Sequence, residues 1–349
     1  MSRRAVVALV AVLGAVVAGL VAWRVLTPET ALARALSIAP AGTSRVAWTN
    51  WEGVRRELGA DLDSGSTAEA VDAFMADAFT RDLSAMSALG ASAAVMQEEL
   101  GFSPATVSWE ALAQSTDGAV EIIGVDDGVS FGELADRLAA LGWTEPEEPD
   151  GVWVGGADVL AGAGPGLTPE LQHVVLLADE GVVLASDQAP YLEQVMEVVD
   201  GDADAADHLA DVASGLEEPL AAAVFDGPYA CERLAMSQAD DDARDEADQL
   251  VAAAGGVHPL TGFAMGLAAG GGVRVVMQVE DPDDAPGDAD ARARLATGTA
   301  PGQGGDFDDR FSVEDAGSEG REIVLDLQPA EGEYVLSDLT SGPVLFATC

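Results

Sequence analysis

The nineteen residues from Ala5 to Trp23 carry no charge, and Arg3, Arg4 and Arg24 bracket them. At about 1.5 Å of helix per residue, this run, extended to Leu26, covers the roughly 30 Å hydrocarbon core of a bilayer. Arginines precede it, and Pro28 and Glu29 follow. The positive-inside tendency therefore sets residues 1–4 as a cytoplasmic tail, 5–26 as a single-pass transmembrane helix acting as signal anchor, and all later residues as extracytoplasmic. A cleaved signal peptide is the competing reading, because Ala31-Leu32-Ala33 has the small-x-small pattern of a processing site. The run exceeds the roughly 7 to 15 residues of a signal core, which favours the anchor. A lipid anchor lacks its thiol, since the only cysteines are Cys231 and Cys349.

All sixteen basic residues are arginines. With Arg3, Arg4 and Arg24 set aside, thirteen arginines face 61 acids in the remainder. That charge repels nucleic acid and anionic lipid and favours cations or a basic protein partner. The plainer expectation is a solvated acidic surface kept for solubility. At 48% hydrophobic residues the chain has ample material for a core, so wholesale disorder is excluded. Two cysteines in an exported chain read as one disulfide, Cys231 to Cys349. Closing so long a loop is worth roughly 3 to 5 kcal/mol in the chain-entropy model and holds the C-terminus in place.

Periodicity supplies the elements. After a linker over 27–43, Ser44 to Asn50 reads as a strand and Trp51 to Leu58 as a helix. Thr67 caps a helix whose apolar face is Ala70, Val71, Phe74, Ala78 and Phe79. Strands over 106–113 and 119–125 join through Ser115-Thr-Asp-Gly118, and Ser130 caps a helix that Gly142 ends. A strand over 152–154, a glycine-rich loop over 155–169, a hairpin of 173–178 with 182–185 and a helix over 190–199 complete a first unit, 44–199. An acidic connector, 200–217, leads to a second unit, 218–349. There the strand 220–225, a helix over 229–254, strands from Pro259 and from Val273, and a helix over 288–295 follow in the same order. Strands are expected near 310–313, 322–327 and 333–336, and the ending 343–348 is strand-like. Pro259 onward aligns without a gap on Pro104 onward.

The chain is therefore expected to be α+β: two tandem repeats, each a mainly antiparallel sheet with helices on one face, in the ferredoxin-like order βαββαβ with extra strands. The opening Ile38-Ala-Pro-Ala-Gly-Thr-Ser-Arg-Val-Ala-Trp, the hairpin Val174-Val-Leu-Leu-Ala-Asp-Glu-Gly-Val-Val-Leu-Ala-Ser and the ending Ser341-Gly-Pro-Val-Leu-Phe-Ala-Thr-Cys resemble uncharacterised exported proteins of high-GC Gram-positive bacteria. The resemblance implies a cell-envelope location and brings no catalytic residues.

The absence of lysine removes the phosphate-binding G-x-x-x-x-G-K-[ST] loop, the kinase strand lysine, S-x-x-K acylases and Schiff-base enzymes. His173, His208 and His258 show neither zinc spacing nor a G-x-S-x-G elbow to serve, and read as structural. Gly162-Ala-Gly-Pro-Gly166 is no dinucleotide fingerprint, because Pro165 interrupts it. Asp200, Asp202, Asp204 and Asp211 fall in the register of a calcium loop, although Ala205 stands where glycine is expected and position twelve is the short aspartate. The expectation is a non-enzymatic, cofactor-free envelope protein that binds a partner or ligand. A calcium-dependent adhesion or scaffolding module using Asp200 to Asp211 is the alternative. An extracellular hydrolase with an unrecognised pair of carboxylates comes third.

Overall fold

The computed structural model describes residues 30–126 and 128–349. The tail 1–4 and the apolar run 5–26 lie outside the described residues. Among those described, no helix is long and apolar enough to cross a membrane.

Among the described residues eleven strands form one sheet: β1 (Arg45–Thr49), β2 (Val107–Gln114), β3 (Ala119–Val125), β4 (Trp153–Val154), β5 (His173–Leu177), β6 (Val182–Ser186), β7 (Ala221–Asp226), β8 (Leu260–Leu267), β9 (Val273–Val279), β10 (Phe311–Glu319) and β11 (Glu322–Pro329). Their spatial order is β10-β11-β9-β8-β7-β1-β2-β3-β6-β5-β4, with every pair of named strands antiparallel. The α+β class holds, but two separate sheets do not form. β1 and β7 pair along their whole length, Arg45 opposite Phe225 and Thr49 opposite Ala221, which fuses the halves. No ferredoxin-like parallel pair occurs among the described strands, because β2 returns directly beside β1 after the helices between them.

The helices are α1 (Ala31–Ile38), α2 (Trp51–Leu58), α3 (Ala68–Thr80), α4 (Phe131–Leu141), α5 (Ala157–Ala163), α6 (Ala189–Val199), α7 (Asp207–Ser214), α8 (Asp241–Ala254), α9 (Ala285–Leu295) and α10 (Val335–Thr340). They cover both faces of the sheet, not one. On the first face Ala47, Ile123, Phe225 and Met265 pack with residues of α2 to α5 and α8 to α10. On the second, Val46, Trp48, Trp109 and Ile122 pack with α1, α6 and α7. The physical reason is that the central strands are apolar on both sides, as the buried run Ala221–Phe225 shows. Trp48 stacks on Trp109 with ring centroids 5.4 Å apart. Gly124 makes room for this pair, since a β-carbon there would lie 2.2 Å from the Trp109 ring.

Several local expectations are met and others corrected. Thr67 and Ser130 accept the backbone N–H groups of Ala70 and Glu133, and Gly142 ends α4 in the left-handed region at φ 108°. The linker 27–43 contains α1, which forms because Leu32, Ala35 and Leu36 share one buried face and Thr30 caps Ala33. The glycine-rich loop contains α5. The helix expected over 229–254 is broken by irregular turns before Asp240 caps α8. Residues 335–340 are helix α10, not strand: Asp82 reaches across to accept the N–H groups of Leu336 and Ser337, an N-terminal cap from a distant segment. The strand-like ending forms a 3₁₀ turn at 345–347. The gapless alignment of Pro259 on Pro104 sets Gly262 on Val107, whereas the bulges of the two hairpins fall in step with Leu260 set on Val107. In the sheet, Val107 lies opposite Val125 and Leu260 opposite Val279, each beside a bulge.

Candidate functional site

Three groupings of polar side chains stand out. The first is a crevice of about 560 Å³ beside β4, the edge strand of the sheet. Glu148, Asp150, Glu193 and Asp200 line it together with Val152, Val154 and Met196, and among the described residues no basic one does. Val154 is unusually open for a large apolar side chain, at 45% exposure. A neighbouring hollow of about 430 Å³ shares Glu148 and Asp150 and adds Glu145 and Glu147. An apolar floor with an acidic rim suits a ligand carrying both hydrocarbon and positive charge.

The second grouping lies inside. Glu110 on β2 and Glu121 on β3 are 1% and 0% exposed, and none of their four carboxylate oxygens has a hydrogen-bond partner. Thr49 Oγ1, Trp51 Nε1 and Ser87 Oγ are also buried and unpartnered. Burial pushes Glu110 up to about 7, against the opposing pull of nearby Ser87, Trp51 and the amides of Ala88 and Leu89, which approach it without completing a hydrogen bond. Glu121 is raised well above the carboxylate range by burial first, then by the charges of Glu110 and Glu170. Displaced carboxyls are what a hydrolase would need, but these are sealed from solvent and leave a substrate no access.

The third is a clasp on the C-terminus. Arg292, wholly buried on α9, donates to Asp288 and to the carbonyls of Phe346, Thr348 and His258. Desolvation draws Arg292 down to about 10 despite the neighbouring Asp288 carboxylate. His258 joins through its backbone N–H, 3.0 Å from Asp288 Oδ2, and its ring Nδ1, 2.7 Å from Oδ1. Cys231 and Cys349 are bridged, with Cα atoms 5.7 Å apart, so the chain end is held covalently beside the clasp.

The residues picked out as a calcium loop do not converge. Asp200 ends α6 and faces the crevice, while Asp202 and Asp204 are exposed in the following turn. Asp211, on α7, is turned to Arg321 at 2.8 Å. Among the described residues no group of three or more His, Cys, Asp or Glu is arranged to hold a metal. His208 Nε2 lies 3.0 Å from the carbonyl of Thr43, and His173 opens β5. Neither Glu110 nor Glu121 was distinguishable in the sequence. The available signal was a lone acid within a strand flanked at i±2 by apolar residues, as Glu121 is by Ala119 and Ile123.

No family model matches the chain, and no curated protein matches it. Two solved structures, both crystal forms of TP0453, share 7% and 8% identity with it. Form I aligns over 89% of this chain and 97% of its own with a TM-score of 0.40, and form III over 88% and 98% with 0.41. Likeness at this level assigns neither a family nor an activity.

Proposed function

We propose that the chain is a non-enzymatic, membrane-anchored envelope protein whose folded part lies outside the cytoplasm and binds a basic partner. The observation that carries the reading is the uncharged run Ala5–Trp23, which ends only a few residues before Thr30 caps α1. α1 packs on the second face through Leu32, Ala35 and Leu36, so processing after Ala33 would remove a buried part of the fold, which favours an uncut anchor. The Cys231–Cys349 disulfide suits an oxidising compartment. The crevice at β4 is the contact surface, chosen because exposed Val154 and half-buried Val152 lie among four carboxylates.

A duplication belongs to the same proposal. Outward from the β1–β7 pair, β2, β3, β6 and β5 on one side have β8, β9, β11 and β10 on the other. Two copies of one unit joined edge to edge account for that order.

Membrane fractionation of cells producing the full chain tests the location. The chain should resist extraction by high salt, dissolve in detergent, start at Met1 or Ser2 and be cut by protease added outside. Release by salt, or cysteines that take up an alkylating label before reduction, would overturn it. A synthetic peptide of arginine and leucine tests the surface. Its binding should fall at least tenfold in the triple variant Glu148→Gln, Asp150→Asn, Glu193→Gln; undiminished binding would remove the crevice from the proposal.

A further inference from the structure

The buried glutamates have a geometry that the binding function leaves unused. Glu110 lies opposite Thr49 of β1 and Ile123 of β3, while Glu121 lies opposite Leu112 of β2 and Ala185 of β6. The two are diagonal neighbours on the first face, which puts their α-carbons about 7 to 8 Å apart, well within the joint reach of two glutamate side chains. Over Glu110 lies the segment 83–100, whose Leu83, Met86, Leu89, Met96 and Leu100 are buried in the same core, while the turn Pro169–Gln172, with Glu170, packs on β3 and β6 beside Glu121. Ser87 and the amides of Ala88 and Leu89, all from this cover, face the Glu110 carboxyl. Among the described residues nothing comparable faces Glu121, which feels the negative charges of Glu110 and Glu170.

No cation among the described residues answers them. Arg55 of α2 is turned to Asp126 and to the carbonyls of Pro104 and Val107. Arg45 at the start of β1 lies over the Phe225 ring. Arg81, just before the cover, pairs with Asp77, and Arg137 of α4 donates to the carbonyls of Glu98 and Glu99. Of the acids, Asp82 is engaged with Ser337 and Leu336, Glu98 is exposed, and Glu170 accepts from Thr168. His173 of β5 sits beside Asp187. Two carboxylates sealed together without a counter-ion are prohibitively costly, so one or both must be neutral.

We infer that Glu110 and Glu121 hold a proton between them, Glu121 as the acid and Glu110 as the acceptor, and that losing it lifts the 83–100 cover from the sheet. The assignment follows from the surroundings. Donors cluster on the Glu110 side, where a negative oxygen is best tolerated, and none is on the Glu121 side. When the proton leaves, the second charge can be solvated only by admitting water. The cover is the element suited to yield. It is built of short 3₁₀, α and π turns at 90–100, whose helical bonding is weaker than that of a continuous α-helix. The device responds to the pH around the folded domain and stands whether or not the crevice binds a basic partner.

Hydrogen exchange of the full chain in detergent, read by mass spectrometry from pH 5 to pH 9 and corrected for intrinsic exchange, tests it. Peptides within 83–100 should lose protection as pH rises, with the opening constant growing by up to about tenfold per pH unit for each proton linked. Glu121→Gln, which keeps the shape and removes its titration, should abolish that dependence above about pH 7 and leave only the part that Glu110 contributes below it. Protection in 83–100 that is flat with pH, or an unchanged pH dependence in E121Q, would overturn the inference. So would protection restored by calcium, sodium or potassium at constant ionic strength, because the pair would then hold a metal. Should E121Q fail to fold, carboxyl-carbon NMR of glutamate-labelled wild type decides. At least one glutamate should remain protonated above pH 7, and titration of all of them in the ordinary range would refute the pair.

Discussion

Two clusters of buried charge, one in each half of the sheet, are handled in opposite ways. The hairpins β2–β3 and β8–β9 carry a bulge at the same place, between Val107 and Trp109 in one and between Leu260 and Gly262 in the other. Counting from the bulge, Phe263 stands where Glu110 stands and Val275 where Glu121 stands, and both are fully buried. The second half shows that positions of like register in a hairpin of this kind close well with hydrocarbon. The acid pair of the first half is therefore no requirement of the fold. Charge is buried in the second half too, but Asp288 and Arg292 arrive with partners for nearly every polar atom. One half has a satisfied ion pair and the other an unsatisfied acid pair, and the two should respond to mutation with opposite signs.

The largest effect is expected from Arg292→Ala. It strands buried Asp288 and deprives the carbonyls of His258, Phe346 and Thr348 of their donor, which should destabilise the protein by about 3 to 5 kcal/mol in urea unfolding. A loss under about 1 kcal/mol would mean that the clasp is no better satisfied than the glutamates, and the contrast between the halves would collapse. Removing the disulfide by Cys231→Ser with Cys349→Ser comes next. The bridge spans 118 residues of sequence, and the chain-entropy model gives about 4 to 5 kcal/mol, of which about 3 is a fair expectation after denatured-state effects. Because the disulfide and Arg292 hold the same final residues, the combined variant should lose less than the sum of the two.

Glu110→Gln sharpens the comparison from the other side, since it should stabilise. The folded-state value near 7 lies above the ordinary 4.5. Below 4.5 the carboxyl is protonated in both states and the substitution changes little. As pH rises past that point the unfolded chain ionises first, and stability falls until the folded group ionises as well. Across that window the gain for E110Q reaches about 3 kcal/mol at pH 8. Melting curves at pH 4 and pH 8 measure it. A loss of stability at pH 8 would show that the carboxylate is better solvated than its missing partners imply.

Local chemistry was legible in the sequence, and long-range pairing was not. Alternation and the turn Ser115-Thr-Asp-Gly118 marked β2 and β3, single side chains marked the caps at Thr67 and Ser130, and cysteine arithmetic marked the bridge. The β1–β7 pairing joins residues more than 170 positions apart and leaves no periodic trace, so one sheet was read as two. Glu333 to Leu336 carries strand-like residues, yet the cap that makes 335–340 helical comes from Asp82, far away in the chain. Glu110 and Glu121 are two of 61 acids, and only the layers packed over them distinguish them. In β2 the alternate residues Ser108, Glu110, Leu112 and Gln114 form a mixed side on which only Glu110 is fully buried, and it is the segment 83–100 that covers it.

The smallest effect should come from His258, and it separates the two kinds of buried charge most finely. Its ring is 53% exposed, and its hydrogen bond to Asp288 is the main cause of a value raised above 6.5, with the charges of Asp288 and Asp284 adding to it. The sign follows from linkage. The stabilisation is complete below 6.5, where the ring is protonated in both states, and fades as pH rises through the higher folded value. Both His258 and the glutamates thus make stability fall with pH, but in different windows: Glu110 from 4.5 to about 7, and His258 from 6.5 upward. In a Glu110→Gln, Glu121→Gln background, the slope remaining above pH 6.5 should belong to His258 and vanish on adding His258→Gln. The imidazole signal in NMR titrations should report the same raised value in both backgrounds, because the histidine is bound to the satisfied pair and lies in the other half of the sheet. A histidine that shifted when the glutamates were neutralised would show that the halves are electrostatically coupled through the β1–β7 seam, and their contrast would then have to be treated as one titration.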